Sequence, residues 1–167
     1  DSATLRENVV ALARNIGYVP RSRKASKATI SFFVDTEDVT PKPVTLTLKK
    51  GVIAGSRGSF GTQSFVFSIL EDITVPVVDD IASFNDITIY EGTLLQSTFT
   101  FSSRNPNQKF ILPNTGVDTE LISVGVRQNE FNTAISTYKL HDNLFDIDSS
   151  SRVYYIQEVN DERYEIF

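Results

Sequence analysis

A chain of 167 residues with 40% hydrophobic content can bury a real core, and one domain is the default expectation at that length. The absence of Cys excludes a disulfide framework, a thiol nucleophile and any cysteine-ligated metal, and leaves the redox compartment open. The formal net charge of -5 is unevenly placed: residues 1–58 hold ten Lys/Arg against five Asp/Glu, and residues 59–167 six against sixteen. An acidic balance argues against a nucleic-acid partner.

The first element is "TLRENVVALARNIG". Thr4 and Glu7 fit a capping box, and Leu5, Val9, Leu12 and Ile16 form a single apolar stripe at helical spacing. Gly17 suits a left-handed C-cap and Pro20 blocks resumption, so a helix over residues 1–18 is expected, packed on its own chain or on a neighbour. "GYVPRSRKASKA" follows, a linker over 19–28 in which Arg21, Arg23, Lys24 and Lys27 fall within seven residues. Three readings stay open for it: a solvated link, a nucleic-acid patch without an aromatic platform, or a surface that meets acidic neighbours.

From Ala28 the signal is strand. "ATISFFV", "PVTLTL", "SFVFSIL", "DITVPVV", "DITIYEG", "STFTFSS", "KFILP", "ELISVGV", "STYKL" and "RVYYIQEV" are short, rich in β-branched and aromatic residues, and often alternating. Turn formers such as "TPKP", "KKG", "GSRGSFG", "SRNPNQ" and "PNTG" separate them. "IASFND" and "HDNLFDID" each have room for a helical turn. The expected class is mainly β (α+β): a short amino-terminal helix, then an antiparallel β-sandwich or barrel-like domain over 29–167. Phe32, Phe65, Phe67, Phe99, Phe101, Tyr154 and Phe167 are expected mostly in its core rather than on a sugar-stacking platform.

Catalytic and metal-binding patterns are incomplete. His141 is the only histidine, so one chain cannot build a multi-histidine metal site. His141, Asp142 and one of Ser149 to Ser151 supply the residue types of a triad, but no strained strand-to-helix elbow exposes a serine. Asp146, Asp148 and Ser150 match positions 1, 3 and 5 of a calcium loop, whereas Ser151 replaces the turn glycine and Gln157 the bidentate glutamate. Asp79-Asp80 and Glu71-Asp72 are adjacent pairs; on a strand such neighbours face opposite ways, and a solvated turn is the better account. Gly55, Gly58 and Gly61 precede a strand-like "QSFVFSIL", not the helix a phosphate loop needs. No catalytic residue, metal ligand or cofactor is expected. No apolar run approaches the ~20 residues of a membrane span, and no signal-peptide core is present.

One resemblance joins these pieces. "LRENVVALARNIGYVPRSRKASKATISF" resembles the amino-terminal region of baseplate wedge proteins of contractile-tailed bacteriophages, the baseplate-J-like family. It matches their helix, their Gly-Tyr-x-Pro-x-Ser pattern at Gly17, Tyr18, Pro20 and Ser22, and their spaced alanines at Ala25 and Ala28. "LKKG" is similar to a family turn, with Lys49 in place of Pro. "SFVFSILEDITV", "IYEGTLLQSTFTF", "FILPNTGVDTELISVGV" and "RVYYIQEVNDERYEIF" resemble later family segments in the same order.

The resemblance implies a virion structural protein with no catalytic residues. Such a protein joins wedges around the tail hub and is assembled in the host cytoplasm. Its partners would be other wedge and tail proteins, with self-association as a further expectation and neither nucleic acid nor membrane among them. Interface residues implied in the linker are Tyr18, Pro20, Arg21, Arg23, Lys24 and Lys27. Family members continue beyond a Tyr-Glu-Ile-Phe-like strand, and this chain has no Met; both predict a piece of a longer or processed product. The runner-up is a carbohydrate- or receptor-binding β-module, based on the aromatics and the acidic loops; a hydrolase using dispersed carboxylates ranks last.

Overall fold

The computed structural model describes residues 22–56, 64–105, 107–141, 147–159 and 162–167, together with Val9 and Leu12. The expected amino-terminal helix lies outside the described residues apart from Val9 and Leu12, both exposed. The architecture is mainly β, and among the described residues its ladders are antiparallel except for one short parallel pair. Two compact units divide the chain: Ala25–Gln96, and Asp1–Lys24 with Ser97–Phe167. One boundary falls within the linker, after Lys24, and the other after Gln96.

The Ala25–Gln96 unit holds six strands: β1 (Lys27–Asp35), β2 (Thr45–Leu48), β3 (Gly51–Gly55), β4 (Val66–Ile69), β5 (Ile73–Val78) and β6 (Ile81–Glu91). They form one sheet in the order β2-β5-β6-β4-β3, with β1 along the other side of β6. The eleven-residue β6 is its spine. Its first residues pair with β5 (Val78 with Ile81) and its last with β4 (Phe67 with Glu91), so the sheet forks along that edge. The barrel-like alternative is corrected: among the described residues no sheet closes on itself. The path ends at β2 and β3, which do not pair with each other.

One face of this sheet supplies the core. Phe84, Ile69 and Ala82 are almost completely buried, with Ile87 and Ile89 beside them. Residues of all six strands pack on that cluster, from Ile30, Phe32 and Val34 to Leu46, Ile53 and Val75. The Phe32 and Phe84 rings stack at 5.0 Å. Strict alternation along β5 puts Ile73, Val75 and Val77 inward and Thr74, Pro76 and Val78 outward, as one-sided burial requires. β6 breaks that rhythm once. Ile30 opposes Ile87 and Phe32 opposes Phe84, so Asn85 and Asp86 together face Ser31. This bulge brings Phe84 and Ile87, three apart, onto the same face.

The second unit contains two three-stranded sheets. β8 (Val124–Val126), β9 (Ser136–Leu140) and β10 (Val153–Tyr154) form one, in which β10 runs parallel to β9. β7 (Phe110–Ile111), β11 (Ile156–Glu158) and β12 (Tyr164–Ile166) form the other, with β12 central. Among the described residues Tyr154 and Tyr164 are the buried aromatics of this unit, and the Tyr154 hydroxyl donates to the Ile122 carbonyl at 2.9 Å. The expected strand at 97–103 belongs to no sheet. Phe101 and Phe167 are exposed and Phe99 is only half covered, against the expectation of core positions. Phe99 instead tilts onto Phe110 at 5.6 Å, and Phe167 stacks on Tyr155 at 5.7 Å.

Candidate functional site

The site to weigh is the basic linker and what it touches. Tyr18, Pro20 and Arg21 lie outside the described residues. Ser22 to Ser26 form no regular secondary structure, and three consecutive side chains, from Ser22 to Lys24, make contacts within their own unit. The Ser22 hydroxyl accepts from the Thr119 N–H at 3.0 Å and shares a hydrogen bond with the Thr119 hydroxyl at 2.9 Å. Arg23 Nε donates to Glu162 at 3.2 Å, and Lys24 Nζ to Glu120 at 2.9 Å.

Sequence order explains why the acceptors sit where they do. Thr119 and Glu120 belong to a single 3₁₀ turn, Thr119–Leu121, whose N-cap is Asp118; the Asp118 carboxylate accepts from the Glu120 N–H at 3.0 Å. That cap fixes the turn and holds Glu120 toward Lys24. Gly116, at φ +68°, precedes it; a side chain there would begin 3.4 Å from Arg23 Cδ. The glycine therefore serves a left-handed turn, beside which the Arg23 stem passes at ordinary contact distance. Both ion pairs are exposed on the cation side, so each contributes little to stability, up to about 1 kcal/mol. Lys27, by contrast, opens β1 in the other unit, opposite Tyr90.

Sequence reasoning singled out the cations but missed Thr119, Glu120 and Glu162, which lie about a hundred residues or more away. Ser22 appeared only as part of the quoted pattern. No local signal names such partners, because contact across that separation is set by how the chain folds back.

The other candidates resolve into local structure. Asp148 accepts from the Ser150 N–H at 2.9 Å and from the hydroxyls of Ser150 (2.7 Å) and Ser151 (3.0 Å), which draws its pKa below the ordinary carboxylate value. Its proposed calcium-loop companion Asp146 and the triad candidate Asp142 lie outside the described residues. The His141 ring sits 6.1 Å from that of Tyr155, while the hydroxyls of Ser150 and Ser151 are committed to Asp148. Asp79 and Asp80, both at positive φ, form the two-residue turn from β5 to β6. Asp72 caps the other end of β5: it accepts from Lys49 Nζ at 2.7 Å and from the Lys50 N–H at 2.9 Å, which lowers its pKa. Gly58 and Gly61 of the glycine triplet are outside the described residues; Gly55 ends β3.

Two surface depressions, about 260 and 390 Å³, lie on the six-stranded unit. The first is lined by Ile69, Ile73 and Ile87 with Glu71 and Asp86, the second by Val75, Pro76, Val78 and Ile81 with Asp79. Among the described residues no three His, Asp or Glu side chains converge as a metal site requires, and no helix is long and apolar enough to cross a membrane. No protein-family model matches the chain, and no curated protein matches it.

Proposed function

We propose that this chain is a structural component of a phage tail baseplate, working through protein–protein contacts between wedge subunits in the virion. The carrying observation is the ordered series of motifs similar to baseplate-J-like proteins. The geometry of the linker supports the reading. Ser22, Arg23 and Lys24 of the "GYVPRSRKA" motif bond to Thr119 and Glu120 of "FILPNTGVDTELISVGV" and to Glu162 of "RVYYIQEVNDERYEIF". Three segments that carry the likeness thus meet within one compact unit. The finer architecture that accompanies this reading is a helix ahead of a sandwich-like β-region.

In this role the linker is anchored at Ser22 to Lys24, and its exposed cations, Lys27 among them, face acidic partner surfaces. Electrostatics of this kind sets orientation more than affinity. The test is localisation. Antibody raised to the purified chain should label the tail end of contractile particles from the source; labelling absent from intact particles and from assembly intermediates would remove the proposal.

A further inference from the structure

Among the described residues the longest edge of the six-stranded sheet is unpaired. Among the described residues β1 pairs with β6 and with no other strand, so all nine residues of Lys27–Asp35 present a free side. Which groups face outward follows from the ladder. The Glu91 N–H donates to the Ser26 carbonyl at 2.8 Å and the Thr36 N–H to the Asp80 carbonyl at 2.8 Å, so the even-numbered residues turn their backbone groups toward β6 and its turn. The odd-numbered residues, Lys27, Thr29, Ser31, Phe33 and Asp35, therefore direct their N–H and C=O groups away from the sheet. Their side chains share the solvent face, where Phe33 is 69% exposed.

We infer that β1 is a self-docking edge: two copies of this chain join β1 to β1 in antiparallel fashion about a two-fold axis through Ser31. Three features of the strand favour a second copy over an unrelated strand. Pairing about Ser31 sets Lys27 against Asp35 of the other copy at both ends, so the only two charges of the strand become two opposed pairs. The same register opposes Thr29 to Phe33, giving the exposed ring an apolar methyl neighbour across the seam. It also aligns outward-facing residues with outward-facing residues, which yields about ten inter-chain N–H···O bonds over the strand.

A shift of two residues either way keeps the backbone bonds but separates the opposite charges. A shift of one turns backbone groups away from each other. The stretch from Ala28 to Val34 has no charge and no Pro, the usual devices that keep an edge from pairing. An isologous contact of this kind closes at two copies and does not propagate along that edge. The inference stands independently of the baseplate reading.

The whole chain, studied by sedimentation equilibrium, should show a monomer–dimer equilibrium. Lys27→Asp should weaken the dimer by about tenfold or more by placing like charges across both ends, and Asp35→Lys should do the same. The double exchange should restore it to within about threefold of the parent. Asp35 also accepts from the Glu37 N–H at 2.9 Å, so Lys27→Asp, which disturbs no such bond, carries the test if Asp35→Lys folds poorly.

Because the chain has no Cys, a single cysteine reports the register. Ser31→Cys should oxidise to a covalent dimer, since residue 31 lies opposite itself at about 5.5 Å between Cα atoms. Thr29→Cys should not. A chain that stays monomeric at every concentration, a dimer indifferent to Lys27→Asp, or equal cross-linking at both cysteine positions would each overturn the inference.

Discussion

The Asp86 N–H donates to the Ser31 hydroxyl at 2.9 Å, across the point where two residues of β6 oppose one of β1. The serine fills the gap in the ladder that the extra residue opens. Asp86 adopts φ +54° there, a left-handed conformation that costs a side chain about 1 kcal/mol relative to Gly. Asp86→Gly should therefore raise stability by up to about 1 kcal/mol, as read by urea denaturation.

Parity makes a sharper expectation from the same bulge. Removing Asp86 leaves Phe84, Ile87 and Ile89 on one face of a regular strand, whereas removing Thr88 makes Ile87 and Ile89 neighbours and turns one outward. The first deletion should preserve cooperative unfolding. The second should cost about 2–3 kcal/mol, the burial of one Ile side chain. Equal losses from both would show that β6 is not organised by this bulge.

The turn from β5 to β6 invites a gain. Asp79 and Asp80, at φ +50° and +63°, occupy positions that favour Asn-Gly. The Asp79→Asn, Asp80→Gly double variant should raise the midpoint of thermal unfolding, by about 0.5–1 kcal/mol in free energy. It sacrifices the half-exposed Lys42–Asp80 pair at 2.8 Å, which offsets little. The bonds from Thr36 go to the Asp80 carbonyl and survive.

Tyr154 links stability to alkaline pH. Burial raises its pKa above the ordinary value of about 10, so the folded chain keeps the phenol neutral where the unfolded chain has begun to ionise. Stability from this group is whole below pH 10 and falls as pH rises through the folded pKa. Tyr154→Phe should cost about 1 kcal/mol at pH 7, because the Ile122 carbonyl loses its donor, and should flatten the alkaline decline.

Asp72 and Asp148 act at the other end of the scale. Both are held below the ordinary carboxylate value, by Lys49 and the Lys50 N–H in one case and by Ser150 and Ser151 in the other. Their contribution is present above the unfolded pKa of about 4 and is lost as pH falls through the lowered folded value. Carboxyl resonances of both residues should titrate below those of exposed aspartates; ordinary midpoints would contradict these turn geometries.

For the linker, reversal of Arg23 and Lys24 to Glu should leave the isolated chain folded, since both pairs are exposed on the cation side. Under the proposed baseplate role, the loss should appear in assembly with wedge partners, most strongly at low salt, where charges are screened over distances longer than the ~10 Å typical of 0.1 M. Assembly unchanged at low salt would leave these residues only a solvated role.

Most strands were legible because alternation is a local consequence of burying one face: "ATISFFV", "DITVPVV" and "STYKL" all became strands. Two strand regions outside the quoted strand patterns each contain a bulge. β3 carries an extra residue between Val52 and Ala54, and "IASFND" runs into the one at Asn85 and Asp86; in each an added residue spoils the two-residue period. "STFTFSS" is the converse, a regular alternation that no strand pairs.

By itself the sequence determined where most of the chain can extend and where it must turn. Tertiary structure alone decided which strand lies beside which, that β1 pairs only with β6 among the described residues, and that Arg23 and Lys24 meet Glu162 and Glu120. The physical reason is range. Propensity and period act over a few residues, whereas pairing and ion contacts depend on closing loops of tens to more than a hundred residues, a process to which local pattern is blind.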